Sequence, residues 1–305
     1  MSQTLESIPL QIDRVRPEFE RIVPSGATAQ KLPLRNTFAE GPVWNTREGF
    51  LLWTDAFESR ILKWAPGQPV SVFMQPTGQT LAVTYDRQGR LVATGWSSRT
   101  VWRLEPDGSQ TVLASEYQGA KINTPNDLVV KSDGSIYWTD PASALSIAVF
   151  SPDDLQRYLA FQAVFRLAPD GSELRPVADD YVSPNGLAFS PDESILYVND
   201  IQARLIKAYD VLADGSLTNS RVFYEARGDE RGAPDGMKVD SEGNVYCTGP
   251  GGIHVIDPQG RLLGRFIGLG HCTNMCWGED DWRTFFVTTR AITYRIRLNV
   301  PGVPV

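Results

Sequence analysis

The chain has 305 residues, 29 basic against 36 acidic for a formal charge of −7, and 42% of it is hydrophobic, the make-up of a globular protein with a proper core. The acidic balance leaves no basic stripe to neutralise phosphates, which argues against a nucleic-acid binder, and no apolar run nears the roughly 18 residues of a membrane span. Residues 1–24 are polar and acidic and lack the apolar core of a secretory signal, so a cytoplasmic protein is expected.

Taken in chain order, residues 1–24 read as an N-terminal extension, and 25–305 as one domain of many short strands. Runs such as 51–54 (Leu-Leu-Trp-Thr), 135–138 (Ser-Ile-Tyr-Trp) and 195–198 (Ile-Leu-Tyr-Val) alternate like strands. Each follows a turn: Glu48-Gly49, Asp133-Gly134 or Pro191-Asp192. Such turns between β-rich runs signal hairpins. Between residues 142 and 162 the pattern breaks. There Ser151-Pro152-Asp153-Asp154 resembles a capped helix start with proline at the first position, which predicts a short helical insert that overhangs one face.

Histidine and cysteine narrow the chemistry. His254 and His271 lie far apart, with no His-x-His or His-Glu-x-x-His between them. This excludes a histidine-rich zinc hydrolase. Cys272 and Cys276 enter an apolar strand and read as small buried hydrophobes. Neither a Gly-x-Ser-x-Gly elbow nor a phosphate loop is present. A metal in this protein would take oxygen ligands.

Internal repetition sets the architecture. Pro184-Asn185-Gly186-Leu187, Pro125-Asn126-Asp127-Leu128 and Pro234-Asp235-Gly236-Met237 open three units. Ala39-Glu40-Gly41-Pro42 opens another with Glu in the polar slot, and weaker copies hold Gln79 and Thr273. Six units of about 40–50 residues with four strands each describe an all-β, six-bladed β-propeller with a short helical insert in the third blade. The last unit lacks its outer strand, which the segment around residues 27–34 supplies to close the ring.

In a propeller the innermost strand of each blade lines the central channel, so the six slot residues converge on one face. Glu40, Asn126, Asn185 and Asp235 then make an oxygen-only cage of charge −2, suited to one divalent cation, most naturally Ca²⁺, with Mg²⁺, Mn²⁺ or Zn²⁺ able to substitute. Asp127 and Asp140 raise the option of a second cation, but read better as a loop cap and a strand end. Asp55 and Asp200 end second strands in the same way. Asn274 and His271 fall at the channel mouth, as substrate contacts; Lys121 reads as a solvated lysine.

At this point the sequence resembles the SMP-30/gluconolactonase/regucalcin family, its bacterial gluconolactonases above all. The matching stretches are Glu40-Gly41-Pro42, Asn123-Thr124-Pro125-Asn126-Asp127, Trp138-Thr139-Asp140-Pro141, Ser183-Pro184-Asn185-Gly186-Leu187, Pro234-Asp235-Gly236-Met237 and Thr273-Asn274-Met275-Cys276-Trp277-Gly278. Together they span about residues 25–300. The resemblance implies a propeller with one divalent metal in its channel, held by Glu40, Asn185 and Asp235, with Asn126 as fourth ligand or substrate contact. Thr124 stands where animal regucalcins carry a sugar-binding Arg, which favours the bacterial branch. The implied activity is metal-dependent hydrolysis of a sugar lactone, a small-molecule substrate, with the metal polarising the carbonyl and Asp235 as general base. An organophosphate hydrolase of the same architecture and a non-enzymatic calcium-binding scaffold are the alternatives.

Overall fold

The computed structural model describes residues 5–142 and 158–304. Their strands form six antiparallel sheets of four or five strands and one small two-stranded sheet, Glu116–Tyr117 with Ala120–Lys121, and the innermost strands of the six contact one another in a closed ring, each touching the next and the sixth touching the first. This is the six-bladed propeller that the repeat predicts. From the channel outward, blade 1 is Ala39–Asn45, Phe50–Asp55, Arg60–Trp64 and Ser71–Met74. The innermost strands of blades 2 to 6 are Thr80–Tyr85, Leu128–Val130, Pro184–Phe189, Met237–Val239 and Cys272–Gly278.

The ring closes as expected. Thr28–Lys31 adds the fourth strand to blade 6, pairing with Thr293–Arg297. The first residues add further edges. Glu6–Pro9 pairs with Thr28–Lys31, and Gln11–Arg14 pairs with Leu262–Ile267 of blade 5. Arg265 Nη2 meets Asp13 Oδ2 at 2.8 Å across that second edge. One N-terminal segment therefore staples two neighbouring blades.

The apolar residues do not form a single core. They make one wedge between each pair of adjacent blades, because a sheet buries its faces only against its neighbours. Between blades 6 and 1, Trp44 stacks on Phe286 at 5.6 Å between ring centroids. Between blades 5 and 6, Tyr246 meets Trp277 edge-on at 4.8 Å.

Polar side chains finish what the wedges begin. The aspartates that end second strands hold the loops leading into the innermost strands. Asp55 Oδ1 accepts from the N–H groups of Thr37 and Phe38, both at 2.9 Å. Asp140 Oδ2 accepts from Asn123 N at 2.8 Å, and Asp200 Oδ2 from Val182 N at 2.7 Å. Three cap the same kind of loop in three blades.

The helical insert expected over residues 142–162 lies, from 143 to 157, outside the described residues. At its two ends Ala142 N donates to Gln162 Oε1 at 2.7 Å, and the N–H groups of Tyr158 and Leu159 donate to Asn123 Oδ1 at 3.1 Å. Among the described residues no helix is long and apolar enough to cross a membrane.

Candidate metal centre in the channel

A belt of hydrogen bonds running from blade to blade sets the direction of the slot residues. Thr54 Oγ1 donates to Leu81 O at 2.8 Å, and Thr94 Oγ1 to Asn126 O at 2.5 Å. Thr139 Oγ1 donates to Asn185 O and Asn199 Nδ2 to Asp235 O, both at 2.6 Å. Gly236 N donates to Thr273 O at 2.7 Å, and Thr273 Oγ1 to Ala39 O at 2.6 Å. Each grips a carbonyl at or beside the start of the next blade's innermost strand, in blade 1 that of Ala39 next to Glu40, so the slot side chains are aimed by the backbone they hang from.

The belt corrects one expectation. In blade 2 it grips Leu81, not Gln79. Gln79 turns in the left-handed region at φ 55°, before the strand begins. Leu81 is 7% exposed and packs with Trp96, Ala56, Phe38 and Phe57. The slot of blade 2 is therefore apolar, while blades 1, 3, 4 and 5 present Glu40, Asn126, Asn185 and Asp235. The Gly that follows Glu40, Asn185 and Asp235 answers to crowding between blades. A Cβ on Gly41, which has φ 42°, would lie 2.4 Å from Ala82 Cα, and one on Gly186 would lie 2.2 Å from Asp235 O.

Glu40, Asn185 and Asp235 come together. Glu40 and Asn185 are buried, while Asp235 and Asn126 are each half-buried. Glu40 Oε2 accepts from Gly41 N at 2.9 Å, and Asn274 hydrogen-bonds the same carboxylate. Asn185 hydrogen-bonds Asp235, yet Asn185 Oδ1 is buried with no partner. The Glu40 carboxyl is pushed well above its usual range, first by burial and then by the charge of Asp235, with Asp127 adding to it. Asp235 is raised by burial, and Asp127 adds to it as well. Two carboxyls that repel and an orphaned carbonyl oxygen are groups that a cation between them would satisfy. Among the described residues no three His, Cys, Asp or Glu side chains group to hold a metal ion. The set here is two carboxylates completed by carboxamide oxygens, which is a hard-cation donor set.

The remaining candidates divide. Asn274 is 2% exposed, and its amide lies beneath the carboxylates: Oδ1 accepts from Met275 N at 2.8 Å, and Nδ2 faces Asp127 Oδ2 at 3.4 Å. His271 is exposed on the loop entering blade 6, and its carbonyl accepts from Arg290 N. Partial desolvation and then the Arg290 charge hold its imidazole pKa below the usual value. Asp127 Oδ1 accepts from Leu128 N at 2.9 Å, a loop cap. Its other oxygen meets Lys238 Nζ at 3.3 Å. Lys121 is exposed. His254 is buried between Tyr224 OH and Pro250 O, and Cys272 and Cys276 are buried free thiols.

Sequence reasoning missed Lys238. It stands three residues after Asp235 in Pro234-Asp235-Gly236-Met237-Lys238 and carries no motif of its own. The short innermost strand of blade 5 turns it into the channel, toward Asp127 and Asn274. Past it, at the opposite end, a cavity of about 140 Å³ is lined by apolar residues such as Val43, Val83 and Trp277 and by the charged Arg87, Glu193 and Lys238.

Comparison with known proteins agrees with this fold. Residues 38–291 match the model of the SMP-30/Gluconolactonase/LRE-like region. A gluconolactonase from Zymomonas mobilis is 30% identical over 96% of this chain and 87% of its own length. A pentonolactonase from Haloferax volcanii is 27% identical over 82% of this chain and 80% of its own. The solved gluconolactonase of Xanthomonas campestris superposes with a TM-score of 0.85 at 31% identity, covering 97% of this chain and 99% of that one. With a six-bladed ring, an oxygen cage in its channel and a family match across most of its length, the chain belongs to the SMP-30/gluconolactonase/LRE-like family.

Proposed function

We propose that this protein hydrolyses a sugar lactone at a divalent cation held by Glu40, Asn126, Asn185 and Asp235, with Asp235 as general base. The observation that carries the reading is the unpartnered, buried Asn185 Oδ1 beside two carboxyls whose ionisation burial opposes. One cation satisfies all three groups. Ca²⁺ suits an irregular oxygen set best, and Mn²⁺, Mg²⁺ or Zn²⁺ substitutes. The lactonase names of the Zymomonas mobilis and Haloferax volcanii relatives support the substrate class.

When bound, the cation supplies an electrophile for the lactone carbonyl oxygen and compensates the negative charge that develops there. The chain's own groups do the rest. Asp235, the more open of the two carboxylates, takes a proton from the attacking water. Positive charge nearby weakens it as a base, but a lactone is an activated ester, and base assistance of about 10²–10⁴-fold is enough. Asn126, half-buried, hydrogen-bonds the substrate's oxygens, and His271 meets the substrate at the rim. Asn274 supports both from beneath. Asn185, gripped by the belt, and Glu40, buried beside the gripped Ala39, hold the site.

The test is base uptake at constant pH during hydrolysis of glucono-1,5-lactone and a pentonolactone, each against its spontaneous rate. Treatment with a chelator should remove the enzymatic rate, and Ca²⁺ or Mn²⁺ should restore it. A full rate in excess chelator would overturn the reading.

A further inference from the structure

We propose that Lys238 is a positioning residue of the channel: its ammonium holds a third carboxylate, Asp127, out of the cation cage and so keeps the cage at charge −2. The inference rests on the cation reading above.

The geometry is that of an occupied ammonium. Lys238 Nζ has three N–H donors and three acceptors around it. They are Met237 O at 2.9 Å, Asp127 Oδ2 at 3.3 Å and Asn274 Oδ1 at 3.4 Å. Asp127 is 3% exposed and filled on both oxygens, Oδ1 by Leu128 N, and Oδ2 by Lys238 and Asn274 Nδ2. These residues come from three blades and meet one layer below the slots. Asn274 links the layers, since its side chain also hydrogen-bonds Glu40. Asp127 sits close enough for its charge to act on both Glu40 and Asp235.

The arithmetic of charge gives the consequence. Glu40 and Asp235 together neutralise a dication. A third free carboxylate would leave the site at −1, binding the cation more tightly and blunting its pull on a carbonyl. Paired with Lys238, Asp127 adds no net charge. Removing the lysine and removing the aspartate should therefore move cation affinity in opposite directions, which a loss of packing cannot do.

The experiment is calorimetric titration of Mn²⁺ and of Ca²⁺ into chelator-stripped protein, with a thermal melt of each variant to establish folding. Lys238→Met should tighten cation binding by about tenfold or more, the order set by one unit charge at this range in a partly screened interior, and lower kcat. Asp127→Asn, which leaves the ammonium unopposed, should weaken binding by a similar factor. The double variant should return close to wild-type affinity, and Lys238→Arg should retain it. Shifts in the same direction for the two single variants, or no shift in either, would overturn the inference. Should Lys238→Met fail to fold, the Asp127→Asn and Lys238→Arg arms still decide it: weakening in the first with retention in the second supports the inference, and any other pair overturns it. A wild-type protein that binds neither cation defeats the cation reading itself, and is told apart from the other failures by that arm alone.

Discussion

Within the cage, Glu40 and Asp235 look alike in composition and differ in surroundings. Glu40 is 6% exposed and tied to Gly41 N, whereas Asp235 is half-buried toward the mouth. Ligand and base are thereby separable. Asp235→Asn and Glu40→Gln are both isosteric, and each removes one negative charge. Both should weaken cation binding. At saturating cation Glu40→Gln should recover most of kcat, while Asp235→Asn should stay lower by about 10²–10⁴-fold, the range for losing a general base. A kcat titration against Mn²⁺ for the two variants reads this directly. Recovery of Asp235→Asn to within a few-fold of wild type would make Asp235 a ligand only and turn attention to His271. The same scale shows the limit of reading one residue at a time. Glu40, Asn185 and Asp235 were visible from the sequence because the repeat marks their slots. Lys238 was not, because a lysine in a short strand carries no signal until its neighbours from other blades are known.

The strand and its belt bond form the next unit. Thr139 Oγ1 donates to Asn185 O and accepts from Asp127 N at 3.2 Å, so one hydroxyl ties a slot in blade 4 to the loop of blade 3. Thr139→Val should cost about 1–3 kcal/mol, since it strands a buried carbonyl. It should also weaken cation binding several-fold by loosening Asn185. Thr284 provides the control. It is equally buried but bonds Glu279, at the end of the blade 6 hairpin far from the slot. Thr284→Val should lower stability and leave cation affinity unchanged. Equal affinity in the Thr139→Val protein would reduce the belt to a purely structural device. Strand register also explains where the sequence was and was not legible. The Glu-Gly, Asn-Gly and Asp-Gly openings at residues 40, 185 and 235 marked three slots, because the neighbouring blade's approach leaves no room for a side chain there. Blade 2 has no such glycine at its slot, so the polar Gln79 drew the eye while the backbone register placed Leu81. The closing strand was legible because the last unit is one strand short. The pairing of Gln11–Arg14 with blade 5 was not, since four polar residues at an edge carry no face-selecting pattern.

Across the whole molecule, the channel places a destabilising charge at the one point where all six blades meet. Glu40 and Asp235 both carry raised pKa values, burial first among the causes. A carboxyl whose pKa is higher in the folded state than in the unfolded chain adds stability that is complete below the unfolded value, near 4. That stability is lost as pH rises through the folded value. The stripped protein should therefore lose up to about 1.4 kcal/mol per pH unit for each carboxyl that the fold keeps protonated, on moving from pH 4 upward. A bound cation favours the ionised forms and cancels this loss. Binding itself adds about 2.7 kcal/mol at a free concentration one hundred times Kd. The two effects have the same sign, so the gap in Tm between loaded and stripped protein should be small at pH 5 and should widen steadily to pH 8. Glu40→Gln should flatten the curve of the stripped protein and shrink the gap, because the buried repulsion is gone along with half of the cage's charge. Scanning calorimetry at four pH values, with chelator and with Ca²⁺, tests both statements. A gap that stays constant with pH, or a stripped protein that gains stability as pH rises from 5 to 8, would mean that the channel carboxyls do not set the balance between an empty and a filled ring.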